Sequence, residues 1–140
     1  MAKEQQQADN LLEHHEVVRT ERGWGGHFSG ADECNFRRNT LLEYGEHKVV
    51  VSTVGGYCPP SHRWDALSPR QIGTDRYYET RVFHSKPKDN IFYTADFNQE
   101  IQVDSPCSIN QQYAHNEADS MHETVVAEIT ERLVIGSKPI

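Results

Sequence analysis

Residues 22–54 read RGWGGHFSGADECNFRRNTLLEYGEHKVVVSTV, and the second half of this stretch decides the fold. Thr40-Leu41-Leu42-Glu43-Tyr44 and His47-Lys48-Val49-Val50-Val51-Ser52-Thr53 are apolar, β-branched runs on either side of Gly45-Glu46. The pattern predicts a β-hairpin. Glycine at the first central position of a two-residue loop suits a type II′ turn, whose twist matches the flanking strands. That loop places Glu43 opposite Lys48, Leu42 opposite Val49 and Leu41 opposite Val50. One opposite-charge pair and two aliphatic pairs are what cross-strand packing favours. A three-residue loop would shift every pair. The first half of the stretch is a different kind of sequence, with Trp24 and His27 among glycines and Arg37-Arg38-Asn39 leading into the strand.

Working outward, residues 1–16 form a polar, Gln-rich head, expected to be poorly ordered or a short helix. Asn10 to Arg19 fits a short helix by the spacing of Leu11, Leu12, His15 and Val18, and Val17-Val18 equally fits the start of a strand reaching Glu21. Downstream, Gly55 to Asp75 carries Gly55-Gly56, Pro59-Pro60, Pro69 and Gly73 without apolar periodicity, so it reads as a long loop, either a surface excursion or a ligand-contacting lid. A second hairpin is expected from Arg76–His84 and Ile91–Phe97 around Lys86–Asn90, with Ile91, Tyr93, Ala95 and Phe97 on one face. Glu100 to Val103 is expected as a further short strand, and Ser105 to His115 as a loop. Met121, Val125, Val126, Ile129 and Leu133 then mark an amphipathic helix, capped by Asn116 and stopped by Gly136. Its wet face is read as Glu123, Glu128, Glu131 and Arg132. The fold expected is α+β: an antiparallel sheet of four to five strands, built from two hairpins and covered by the C-terminal helix. Residues 17–136 make the one domain, and 137–140 a tail.

The chain has 140 residues, 36% of them hydrophobic, and a net charge of −7. One core suits that length. Eight of the nine arginines lie in residues 19–81, where nine bases meet eight acids; both flanks are acidic. Such a chain lacks the basic face that duplex nucleic acid requires, so no direct duplex binding is expected. No apolar run reaches the roughly 18 residues of a membrane span. The head MAKEQQQADN resembles neither a signal nor a transit peptide, so a cytoplasmic protein is expected. Cys34, Cys58 and Cys107 are odd in number and without a CxxC, which reads as reduced thiols.

The eight histidines show no metal-ligand spacing, so no metal and no cofactor are expected. No nucleophile elbow surrounds a serine, and the glycines of residues 23–30 do not form a phosphate-loop motif. Glu79 on a strand is a candidate general base or, more simply, a carboxylate paired with Arg76 or Arg81. The constellation that remains is cationic and aromatic. Arginine forks hold phosphate or carboxylate, and flat rings stack on a base. The expected ligand-binding set is Arg22, Trp24, His27, Arg37, Arg38, Asn39, Tyr77, Tyr78 and Glu79. Because Arg37 and Arg38 alternate along a strand, they point to opposite faces. The same residue types also suit an oligomer interface, and a homo-oligomer is expected.

At RGWGGHF (22–28), CNFRRNTLLEYG (34–45), VVVSTVG (49–55), RYYET (76–80) and NEADSMHETVVAEI (116–129), the chain resembles a group of small proteins encoded by tailed bacteriophages and prophages. The resemblance spans roughly residues 17–134 and carries over no functional residue. It implies a phage accessory protein acting in the bacterial cytoplasm, and by analogy of class one that counteracts host defence. Three functions follow as expectations. The first is a non-enzymatic binder of a small anionic, nucleotide-like ligand. The second is an inhibitor whose acidic helix face, Glu123, Glu128 and Glu131, occludes a host nucleic-acid-binding or CRISPR-type nuclease protein. The third is a small nucleotide hydrolase, whose turnover would be lost on Glu79→Gln or His27→Ala.

Overall fold

The computed structural model describes residues 16–22, 26–59, 69–88, 92–136 and 138–140. The predicted hairpin is formed by β2 (Cys34–Tyr44) and β3 (His47–Tyr57). Its register sets Glu43, Leu42 and Leu41 opposite Lys48, Val49 and Val50. Gly45 takes φ +59° and Glu46 stays out of the left-handed region, the pattern a type II′ loop requires. Both strands run further than the apolar runs suggested, so Gly55 and Gly56 belong to β3 rather than to a loop.

The ambiguous segment before the hairpin resolves as a strand, β1 (Val18–Arg22), antiparallel to β2. Residues 1–15 lie outside the described residues. On the other side β4 (Tyr78–Lys88) pairs with β3, and β5 (Phe92–Ile101) pairs with β4. The strand order is β1-β2-β3-β4-β5, each neighbour antiparallel. Glu100 does not open a separate strand; it closes β5 opposite Phe83. Between Ala95 and Glu100 the register slips, and the Asp96 carboxylate accepts from the Asn98 N–H at 3.1 Å and the Gln99 amide at 3.0 Å. Ala95 and Phe97 both meet Phe83, as the alternation predicted for those two; Ile91 and Tyr93 are not described at the side-chain level. A short strand, β6 (Ser108–Ile109), replaces the expected loop and pairs with the start of β4. Backbone accounting explains it: β5 leaves β4 at Val82, and the N–H groups of Tyr77 and Thr80 then take Ile109 and Cys107 carbonyls, both at 2.8 Å.

The helix α1 (His115–Ile135) covers one face of this sheet, giving the α+β architecture. Its stripe of Met121, Val125, Val126, Ile129 and Leu133 is buried, and most of it packs with Leu42, Val49, Val51, Val82 and Ile101. Gly136 takes φ +70° and donates its N–H to the Arg132 carbonyl at 2.9 Å. The start differs from expectation. The helix begins at His115, and the Ala114 N–H donates to the Tyr78 hydroxyl at 2.9 Å rather than to an asparagine cap. Tyr78 reaches this position because Gly55 has no side chain: a Cβ there would stand 2.1 Å from the ring. Arg132 also departs from the expected wet face. It is buried, donating to the Gln102 carbonyl at 2.7 Å and pairing with Glu128, because the segment after β5 folds against the helix. Among the described residues no helix is long and apolar enough to cross a membrane.

Candidate functional site

Residues paired across a sheet share a face, so the register alone assembles two rows on the side away from α1. Arg37, Val54 and Glu79 form one row; Asn39, Ser52 and Arg81 form the next. Gly26 brings the chain down onto them. It takes φ +123°, and a Cβ there would stand 2.5 Å from Val54 Cγ1, so only glycine fits. His27 follows, and its ring spans the two rows. Nδ1 lies 2.9 Å from Ser52 Oγ, Nε2 lies 3.0 Å from Glu79 Oε1, and the backbone N–H donates to Ser52 Oγ at 3.2 Å. Glu79 also pairs with Arg76 Nη1 and, at 3.1 Å, with Arg81 Nε. Arg76 is presented by a tight turn in which Ile72 N–H donates to the Arg76 carbonyl at 2.8 Å and Asp75 takes φ +56°. Its guanidinium lies over Gly73, where a Cβ would stand 2.9 Å from Nη2.

Proton positions follow from this geometry. Burial pushes the Glu79 carboxyl up, but the His27 hydrogen bond and the charges of Arg81 and Arg76 outweigh it and hold the group below the usual carboxylate range. An ionised carboxylate only accepts, so His27 donates from Nε2. Nδ1 of a neutral ring is then the acceptor, and Ser52 donates to it. The polarity Ser–His–Glu is that of a nucleophile relay. Ser52 is 0% exposed, however, and Glu79 is tied to two guanidinium groups. The hydroxyl cannot reach a substrate from there. Burial also pushes the thiols of Cys34 and Cys107 up, to about 12 and about 11, so neither is a ready nucleophile.

Beside the ion-pair cluster β5 and β6 diverge along β4 and leave a cleft of about 320 Å³, lined by Arg76, Glu79, Arg81, Glu100, Cys107 and Ser108 among others.

No family model matches this chain, and no curated protein or solved structure matches it.

The structure divides the residues expected to bind a ligand. His27 and Glu79 come together as described. Arg37 is exposed on the same face, 3.6 Å from Asp32. Asn39 is on that face too, but buried. Arg22 stands opposite Asn39 in β1, and its side chain, like Trp24, lies outside the described residues. Arg38 faces away from Arg37, as alternation predicted; it lies on the helix side of the sheet and binds Asp119 at 2.8 Å, Glu21 at 2.9 Å and Glu123 at 3.4 Å. Tyr78 is fully buried in the core, and Tyr77 packs against it. Of the acidic helix residues, Glu123 pairs with Arg19 at 2.5 Å, and Glu128 holds the Ser105 N–H at 2.8 Å and the Asp104 N–H at 2.9 Å. Glu131 is exposed and makes no ion pair with a described residue.

Two features escaped the sequence reading. Arg81 stands two residues from Glu79, a signal that was visible as an ion pair but not as a site. His122 is wholly buried under the helix, with Nε2 2.7 Å from Thr40 Oγ1 and Nδ1 2.7 Å from Thr53 Oγ1; Thr53 in turn meets Thr80 at 2.6 Å. Nothing in the spacing of scattered histidines marked it. Among the described residues no group of three His, Cys, Asp or Glu is placed to hold a metal ion.

Proposed function

We propose that this chain is a non-enzymatic binding protein that takes a small phosphate- or carboxylate-bearing ligand in the cleft beside Glu79. One observation carries the reading. Two guanidinium groups, Arg76 and Arg81, with side chains 36% and 43% exposed, are pinned by the mostly buried Glu79 at the mouth of that cleft. Arg81 meets Glu79 and Glu100 through Nε, which leaves its Nη1/Nη2 fork for an incoming oxyanion. The volume, at the low end of small-molecule pockets, suits a single phosphate group or mononucleotide rather than an oligonucleotide. The burial of Ser52 and the raised thiols favour binding over turnover. A role for such a binder in counteracting a bacterial host's defence rests on the resemblance to phage proteins, and is part of the proposal.

Calorimetric titration with pyrophosphate, nucleoside monophosphates and a dicarboxylate tests it. Saturable binding by one of these, weakened at least about tenfold by Arg81→Ala, is the expected result. Absence of binding across the panel at millimolar ligand sinks the proposal. Turnover of a nucleotide or ester that vanishes in Ser52→Ala would replace it with the hydrolase reading.

A further inference from the structure

Among the described residues β1 is the edge of the sheet, with β2 on one side and no strand on the other. An open edge is a template for another strand, and proteins that keep one unpaired usually guard it with charge or proline. The opposite edge, β5, is guarded in this way. It bulges over Asp96–Gln99, and its charged residues, Asp96 and Glu100, are both acids, so self-pairing would bring like charges together.

The β1 sequence Val18-Arg19-Thr20-Glu21-Arg22 behaves otherwise. We propose that two copies of this chain form a two-fold dimer by antiparallel pairing of β1 with β1, centred on Thr20. Centred there, Arg19 of each copy faces Glu21 of the other, and Thr20 faces Thr20. The strand is thus complementary in charge to itself, and the two-fold axis uses the favourable pair twice. Arg19 and Glu21 point to the helix side, where Arg19 already reaches Glu123. The pairing would therefore join the ion-pair networks of both copies under the two helices.

The helix surface above this edge fits the same occupant. Arg19, Glu123, Ala127, Thr130 and Val134 are among the residues lining a shallow cleft of about 630 Å³ beside β1. Val134 and Ile135 are 51% and 68% exposed. Pairing at β1 sets the two helices on one face of a continuous sheet with these apolar side chains turned toward each other.

Sedimentation equilibrium on the full chain, with circular dichroism as the fold control, tests the dimer. The wild type is expected at twice the monomer mass. Arg19→Glu is expected to weaken association about tenfold or more, because each of two symmetric pairs turns repulsive. Val134→Asp/Ile135→Asp, at exposed helix positions, is expected to dissociate it without touching β1. A monomeric wild type, or a dimer that tolerates Arg19→Glu or Val134→Asp/Ile135→Asp, overturns the proposal.

Discussion

His122 shows how one acid fixes a chain of protons. Glu21 can only accept, and both its oxygens lie within 3.1 Å of Thr40 Oγ1, so Thr40 donates to it. Thr40 must then accept from His122 Nε2–H, which leaves Nδ1 to accept from Thr53, and Thr53 to accept from Thr80. A second proton on His122 would reverse the last two bonds as well as charge a buried ring. Burial, with the charges of Arg38 and Arg19 adding to it and those of Glu21 and Glu123 opposing it, pushes this imidazole down to about 4 from 6.5. Below pH 6.5 the unfolded chain therefore binds a proton that the folded chain refuses. Stability from this group is complete above about pH 6.5, falls between there and pH 4, and levels off below. The loss is on the order of 3 kcal/mol. Urea midpoints measured at steps from pH 7 to pH 4 should fall more steeply in the wild type than in His122→Gln, whose amide can still donate at one end and accept at the other. Parallel slopes would show that the ring titrates normally.

At the scale of elements, what could be read from sequence was whatever depends on neighbours in the chain. The β2–β3 register follows from Gly45-Glu46 and a period of two, and the helix stripe and its Gly136 stop follow from a period near four. What could not be read depends on residues far apart. β6 exists because β5 leaves β4 early, and Arg132 is buried because Gln102 and Asp104 fold over it. The site divides in the same way: Glu79 with its arginines is local, whereas His27 and Ser52 meet across 25 residues. Glycines test this reading. Gly45 has open space around it and only its φ of +59° to protect, so Gly45→Ala should cost about 1 kcal/mol. Gly55→Ala drives a Cβ into the Tyr78 ring, and with it the hydroxyl that holds the helix start, so about 3 kcal/mol or more is expected. Equal losses in chemical denaturation would mean that Tyr78 is free to move.

Taken whole, the molecule divides its main core and its Glu79 ion-pair cluster between the two faces of one sheet. The helix side carries the main core and a charged seam in which Arg38 ties β2 to β1 and to the helix through Glu21, Asp119 and Glu123. The other side carries His27, Glu79, Arg76 and Arg81 beside the cleft. Arginines on the two faces should therefore behave oppositely. Arg38→Ala leaves three carboxylates without their common cation, and a loss of about 1–3 kcal/mol is expected, with affinity for an oxyanion in the cleft unchanged. Arg81→Ala removes a side chain that is two-fifths exposed and lies at the sheet surface, so the unfolding midpoint should move little while affinity falls. Measuring denaturation and ligand titration on both variants separates the roles. If Arg38→Ala abolished binding in a protein of unchanged stability, the ligand would belong on the helix side, and the seam of Arg19, Glu21, Arg38 and Glu123 would be its site.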